Sequence, residues 1–284
     1  MTRILILGAG GQLARSWKEL LEREGIEHDA WSSAQFSLGN SAHLDRLHDG
    51  PKWDLVVNCG AYTQVDKAES EYDVAERING TGVGELATCC KQLGTRLIHY
   101  STDYVFDGQA STPYPTDAPI SPVNAYGRSK AAGERALAES GAQALLIRTS
   151  WVYAPWGKNF VLTMVRLLRE KPELRVVSDQ RGRPSSALQL AERSWALSKQ
   201  VASGTYHLTD GGECSWHELT CAIRDELGVD TPVHPIPTTE FPTPAKRPAY
   251  SVLDITKAED IIGPARPWGM ALSDVLDRWK ADQS

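Results

Sequence analysis

Tyr126 and Lys130 stand four residues apart in Tyr126-Gly127-Arg128-Ser129-Lys130, within a stretch, Ala125 to Glu139, that has helical periodicity. At that spacing a phenol and an ammonium share one helix face. A free phenol titrates near ~10, too high to exchange protons well around neutrality. A close cation favours the phenolate, a tenfold change in acidity being worth about 1.4 kcal/mol. The pair therefore reads as an acid, Tyr126, whose pKa Lys130 lowers. A Tyr/Lys pair on a solvated surface would look the same, so a second feature is needed. Ser101-Thr102-Asp103 supplies it, directly after the apolar run Leu97 to Tyr100. At the carboxyl end of a strand these hydroxyls face the crevice where open α/β sheets bind ligands. A hydroxyl there can donate to a carbonyl oxygen as negative charge develops on it. Turns and helix caps use the same residue types, but joined to Tyr-x-x-x-Lys the combination points to proton transfer at a carbonyl.

A hydride source is implied at the other end of the chain. Gly8-Ala9-Gly10-Gly11-Gln12-Leu13-Ala14 follows the apolar run Ile4 to Leu7 and opens a helical stretch, Gln12 to Arg23. Gly8 permits a tight turn, Gly11 lets backbone approach a diphosphate, and Ala14 is the third small residue, where helix meets strand. The diphosphate would rest on the helix N-terminus, where free N–H groups and the dipole favour negative charge. A carboxylate closing the second strand would hold the ribose of NAD. That strand, near His28 to Trp31, instead ends in Ser32-Ser33, with Asp29 placed earlier. Loss of the carboxylate removes a repulsion against a 2′-phosphate. The expected cofactor is NADPH or NADH, with NADPH favoured.

The surrounding elements fit this chemistry. Short apolar runs at Ile4 to Leu7, Leu55 to Val57, Leu97 to Tyr100 and Leu145 to Ile147 alternate with helical stretches at Gln12 to Arg23, Val74 to Gln92 and Ala125 to Glu139. That alternation predicts an α/β fold with a Rossmann-like, doubly wound parallel sheet. After Trp151 the pattern changes, and Pro232 to Pro248 carries six prolines. Helices are expected there at Ser215 to Leu227 and Met270 to Lys280. The expected organisation is a dinucleotide-binding domain over 1–151 and a smaller, partly helical substrate-binding lobe over 152–284, with some segments returning to the sheet.

Composition narrows the partners. The 284 residues are 41% hydrophobic and 23% charged, with a formal net charge of −6 and no basic run, which argues against nucleic-acid and anionic-membrane surfaces. The apolar run at the N-terminus is four residues long, too short for a signal core or a span. Cys59, Cys89, Cys90, Cys214 and Cys221 form no C-x-x-C pair; reduced thiols in a cytoplasmic protein, with no metal site, are expected.

Taken together these residues resemble the extended short-chain dehydrogenases, and within them the dTDP-4-dehydrorhamnose reductase family. The similarity runs through Val65-Asp66-Lys67-Ala68-Glu69-Ser70-Glu71, His99-Tyr100-Ser101-Thr102-Asp103-Tyr104-Val105-Phe106 and Arg148-Thr149-Ser150-Trp151-Val152-Tyr153. It continues through Asn159-Phe160, Asp179-Gln180 and Pro242-Thr243-Pro244-Ala245-Lys246-Arg247-Pro248. The resemblance implies reduction of a dTDP-linked 4-keto-6-deoxy sugar to dTDP-L-rhamnose, with Thr102, Tyr126 and Lys130 as the catalytic set. It implies Gly8, Gly11, Gln12 and Leu13 on the cofactor diphosphate, and Ala61, Tyr62, Thr63 and Tyr100 along the cofactor, with Tyr126 and Lys130 reaching its ribose and ring. Thr102, Asp103 and Trp151 would contact the sugar, and Arg247 is the candidate for the nucleotide diphosphate. Some members of the family dimerise around magnesium held by two glutamates; the corresponding positions here are Ser16 and Leu188, so a homodimer, if formed, is not expected to be metal-bridged. Alternatives on this scaffold are another nucleotide-sugar 4-keto reductase, an epimerase that keeps its cofactor, and a non-catalytic subunit resembling the beta subunit of methionine adenosyltransferase. A regulatory subunit is free to lose its acid, whereas Thr102, Tyr126 and Lys130 are all present.

Overall fold

Strands buried on both faces need helices on both sides of the sheet, and that requirement organises the chain. A computed structural model describes residues 2–283. In its first half the elements are β1 (Ile4–Leu7), α1 (Gln12–Arg23), β2 (His28–Trp31), α2 (Asp45–His48), β3 (Leu55–Asn58), α3 (Tyr72–Glu76), α4 (Gly82–Leu93), β4 (Arg96–Thr102), α5 (Ala125–Ser140) and β5 (Ala144–Thr149). Side chains alternate across the sheet as period two demands. Ile4, Ile6, Ile98, Leu145 and Ile147 pack with Trp17 and Leu21 of α1 on one face. Leu5, Leu7, Val56, Leu97 and Leu146 pack with Leu86, Ala87 and Leu137 of α4 and α5 on the other.

The second half contributes β6 (Val152–Tyr153), α6 (Phe160–Glu170), β7 (Leu174–Val177), β8 (Arg181–Gly182), β9 (Ser185–Ser186), α7 (Ala187–Gln200), β10 (Gly204–His207), β11 (Cys214–Ser215), α8 (Trp216–Leu227), β12 (Val233–Ile236), α9 (Thr256–Ile262) and α10 (Trp268–Ala281). Strand β10 pairs in parallel with β5 and completes a six-stranded sheet of order β10-β5-β4-β3-β1-β2. The order reverses between β1 and β3, whose carboxyl ends Leu7 and Asn58 lie in register, and ligands of doubly wound sheets bind at such a switch point. A separate apolar core joins α6, α8 and α10 beneath the β7–β12 pair. Helix α8 opens with a reciprocal cap: Ser215 Oγ accepts from Glu218 N at 3.1 Å, and Glu218 Oε2 accepts from Ser215 N at 2.6 Å.

One expected helix carries an internal irregularity. Val74 to Gln92 reads as continuous, yet α3 and α4 are separated by a π-helical turn, Arg77–Thr81. The turn advances Asn79, which donates to the Tyr62 carbonyl and to Ser129 Oγ and accepts from the Tyr62 N–H, all within 3.0 Å. A buried polar side chain with its bonding capacity met is worth a local departure from α geometry. The same turn lies against Gly133 of α5, where an added Cβ would overlap the Asn79 carbonyl oxygen. Gly133→Ala should therefore cost about 1–3 kcal/mol through overpacking; a urea-denaturation midpoint equal to that of the parent would show that the turn yields without strain.

Candidate active site

Thr102, Tyr126 and Lys130 lie together at the carboxyl end of β4. Strand β4 extends beyond its apolar run to Thr102, which with Ser101 is buried. Helix α5 begins at Ala125 because Asn124 caps it, accepting from Gly127 N at 2.7 Å. Gly127 brings that first turn directly onto Tyr104: a Cβ there would overlap the Tyr104 carbonyl oxygen. The rings of Tyr104 and Tyr126 meet edge to face, with centroids 5.9 Å apart. One turn further on, Lys130 is fully enclosed and donates to the Tyr100 carbonyl oxygen at 2.6 Å.

Burial governs the protonation of this group. Thr102 Oγ1 donates to Asp103 Oδ1 at 2.9 Å and accepts from Tyr104 N at 3.2 Å. Asp103 is buried and its Oδ2 has no partner; desolvation raises its pKa to about 6 against the pull of neighbouring donors such as Ser251 and Thr102. Desolvation also pushes Lys130 down to about 8, opposed by the carboxylate of Glu134. The Tyr126 phenol is held above its ordinary value by burial and then by the negative charge of Asp103, with the Thr102 hydroxyl acting in the opposite sense. The expectation that Lys130 lowers the Tyr126 pKa is thus not met in the protein by itself, because the lysine is turned to a backbone carbonyl and the phenol is desolvated beside an acid.

The glycine turn borders a cleft of about 290 Å³ that also takes in Ser33, Ser37, Gly60 and Ala61. Gly8 has φ +82°, and an added Cβ would stand 2.8 Å from Gly60 N, so only glycine permits β1 and β3 to end this close together. No side chain caps α1 and no acidic residue lies in its first turn, which leaves its N–H groups for an anion. No acidic residue lines the cleft. A dinucleotide diphosphate fits this donor set, and the serines at its far end suit a phosphorylated ribose. A second cavity, about 380 Å³ and largely apolar, is lined by Phe160, Met164, Trp216, Phe241, Thr243 and Arg247.

A family model described as the RmlD substrate binding domain matches residues 1–281. The chain belongs to that family. A relative from Burkholderia thailandensis named dTDP-4-dehydrorhamnose reductase is 41% identical over 97% of this chain and 100% of its own. The spore coat polysaccharide biosynthesis protein SpsK of Bacillus subtilis is 39% identical over 97% of both chains. The crystal structure of dTDP-4-dehydrorhamnose reductase from Bacillus anthracis in complex with NADP superposes with a TM-score of 0.94, at 33% identity over 98% of this chain and 100% of that one.

In this RmlD-family chain some expected contacts are realised differently. Gln12 turns away from the cleft: its Oε1 accepts from Asn159 Nδ2 at 2.7 Å, and its carbonyl accepts from Trp156 Nε1 at 3.2 Å. Leu13 packs against Ala154 and Trp156. Both can offer an anion only their backbone N–H groups. The Tyr62 side chain runs inward, its hydroxyl donating to Glu71 Oε2 at 3.0 Å, while Ala61 and Thr63 on either side are exposed. Tyr100 meets Lys130 through its carbonyl; its hydroxyl accepts from Trp17 Nε1 at 2.8 Å on the far face of the sheet. Trp151 has φ +48°, stacks on Trp216 with centroids 3.5 Å apart, and leaves no room for a Cβ at Gly182. One face of its indole is thereby committed to the second core rather than open to a sugar. Arg247 pairs with Asp66 at 2.8 Å.

At Ser16 the hydroxyl donates to the Gln12 carbonyl at 3.2 Å, and the shallow pocket it shares with Leu188 also holds Glu19 and Arg278, which are ion-paired. Among the described residues no His/Cys/Asp/Glu cluster could hold a metal, all five cysteines are free, and no helix is long and apolar enough to cross a membrane. Sequence reading missed Asn79, whose type and spacing announce nothing. It also missed Asn124, although an Asn placed just ahead of a helical stretch is a capping signal.

Because the folded-state pKa of Asp103 is raised, the native state binds the extra proton, and stability attributable to this group is present below about 4 and lost as pH rises through about 6. Asp103→Asn should abolish that loss, worth roughly 3 kcal/mol at most. Urea unfolding of parent and variant at both ends of the window checks this; a stability difference that does not change with pH would refute it.

Proposed function

We propose that this protein reduces the 4-keto group of a dTDP-linked 4-keto-6-deoxy sugar, dTDP-6-deoxy-L-lyxo-4-hexulose, to dTDP-L-rhamnose. The observation that carries the reading is the grouping of Thr102, Tyr126 and Lys130 at the carboxyl end of β4, with only β3 between that strand and the β1 that leads into the glycine turn, in a chain 41% identical to a protein named for that reaction. NADPH or NADH supplies hydride when bound. Gly8, Gly11 and the backbone of Gln12 and Leu13 hold its diphosphate on the α1 N-terminus, and the absence of acid lining the cleft favours NADPH.

The rest is the work of this chain's own residues. Tyr126, its proton retained by burial and by the charge of Asp103, gives that proton to the alkoxide oxygen forming at C4. Thr102 donates to the same oxygen when its hydrogen swings from Asp103. Lys130 leaves the Tyr100 carbonyl for the nicotinamide ribose, and as a cation in a dry site it eases the phenol's loss of a proton. Asp103 faces the sugar hydroxyls and Trp151 borders them. The second cavity takes the nucleotide, with Arg247 toward its diphosphate.

The reading is tested by supplying the keto sugar nucleotide with NADPH or NADH, following nicotinamide oxidation, and identifying the product by NMR. Tyr126→Phe should lower kcat by about 10²–10⁴, the range for loss of a positioned acid, while the dissociation constant for NADPH stays the same. A variant turning over at the parental rate would remove Tyr126 from the acid role. Loss of the Lys130 proton should also lower kcat as pH rises through about 8, read from a pH–rate profile at saturating substrate; a flat profile to pH 10 would contradict it.

A further inference from the structure

The geometry points to Asp66 as a positioning residue: through Arg247 it holds a guanidinium fork at the wall of the second cavity, set for the substrate's diphosphate. This deepens the reading above and rests on it. Asp66 lies in the loop after β3 and Arg247 in the proline-rich segment, 181 residues apart in sequence. Arg247 Nη1 donates to Asp66 Oδ1 at 3.0 Å and Nη2 to Oδ2 at 2.8 Å, a two-pronged grip on one edge of the guanidinium. Asp66 Oδ1 also accepts from Ala245 N at 3.2 Å, and Arg247 donates further to the Thr243 hydroxyl and the Ala245 carbonyl. The arginine, only 23% exposed, is therefore held at several points while it lines the cavity beside Phe241 and Thr243.

An unrestrained arginine loses rotamer freedom on meeting an anion, and a planar fork already oriented loses less. With a carboxylate on one edge and the Tyr104 hydroxyl also near the guanidinium, the fork's orientation is fixed before a phosphate oxygen meets it. Asp66 also neutralises the guanidinium where no anion is bound; its own pKa is lowered chiefly by the bond from Arg247. The first turn of α5 has a hold that does not involve Arg247 or its segment, Glu69 accepting from Ala125 N at 2.7 Å, besides the bond from Asn124 to the Lys246 carbonyl at 2.8 Å. Through the Glu69 bond the first turn of α5, with Tyr126, keeps its place when the Asp66 charge is removed, while Arg247 is freed. A residue serving only the fold would disturb both halves of the reaction; one that orients Arg247 disturbs sugar-nucleotide binding alone.

The test is a double-mutant cycle. Asp66→Asn should raise KM for the keto sugar nucleotide, and the calorimetric dissociation constant for dTDP, by about tenfold, with kcat within about twofold of the parent and NADPH affinity unchanged. Asp66→Glu should recover most of the loss. Arg247→Gln should weaken dTDP at least as much, and the double variant should be no weaker than Arg247→Gln. The proposal is overturned if Asp66→Asn leaves dTDP affinity unchanged or tightens it, which would make the carboxylate a competitor of the phosphate. It is overturned equally if the two losses add, or if NADPH affinity falls in step. A parent protein that neither binds dTDP nor turns over the keto sugar would remove the substrate assignment itself, an outcome distinct from any of these.

Discussion

The seating of α5 is the constraint on which the site depends. Tyr126 and Lys130 are useful only if their helix lies close enough to β4 for the ammonium to reach the Tyr100 carbonyl and for the phenol to stand beside Thr102. Gly127 and Gly133 make that approach possible, because each presents bare backbone where a Cβ would overlap a carbonyl oxygen of the neighbouring segment. Close packing of this kind transmits position rigidly. The π turn at Arg77–Thr81 serves the same end, since Asn79 ties the loop around Tyr62 to Ser129 of the same helix.

Placing the helix this deep has an electrostatic consequence. Lys130, Asp103 and Tyr126 are each displaced toward the neutral form by desolvation. Further along the helix, Glu134 is balanced by Arg148, which binds both of its carboxylate oxygens within 3.2 Å. Arg148 also donates to the Thr116 carbonyl at 2.9 Å and meets His207 Nε2 at 3.3 Å. His207 stays neutral, its pKa taken down to about 3 by burial and the nearby guanidinium. A buried ion pair with its remaining bonds met contributes less to net stability than to specificity of arrangement, and here it fixes the far end of α5 against β5 and β10.

The two halves of the chain meet where the sequence is least regular. The segment around Ala245 and Arg247 has little secondary structure, yet it bonds to Asp66 and, through the Lys246 carbonyl, to Asn124 at the head of α5. The proline-rich stretch therefore works as a strap whose hold comes from Asp66 and Asn124 in the first half of the chain. The stretches Val65 to Glu71 and Pro242 to Pro248 are thus joined through Asp66, Ala245 and Arg247.

Local pattern was enough to determine the doubly wound sheet, the glycine turn before α1 and the phenol–ammonium spacing on α5. Buried runs, period and i,i+4 geometry are all properties of adjacent residues. Those properties placed Thr102, Tyr126, Lys130, Gly8 and Gly11 correctly on their elements. Tertiary structure alone decided the π-helical turn between α3 and α4, the turn of Tyr62 toward Glu71 and of Gln12 toward Asn159, the stacking of Trp151 on Trp216, and the pairing of Asp66 with Arg247. In the protein by itself the Tyr126 phenol is held up by desolvation and by Asp103, company that the i,i+4 spacing does not announce. The physical reason is common to all of these. Whether a side chain meets solvent, a ligand or another side chain depends on neighbours brought from distant parts of the chain, and the energy of a charge or a ring depends on that company rather than on its place in the sequence.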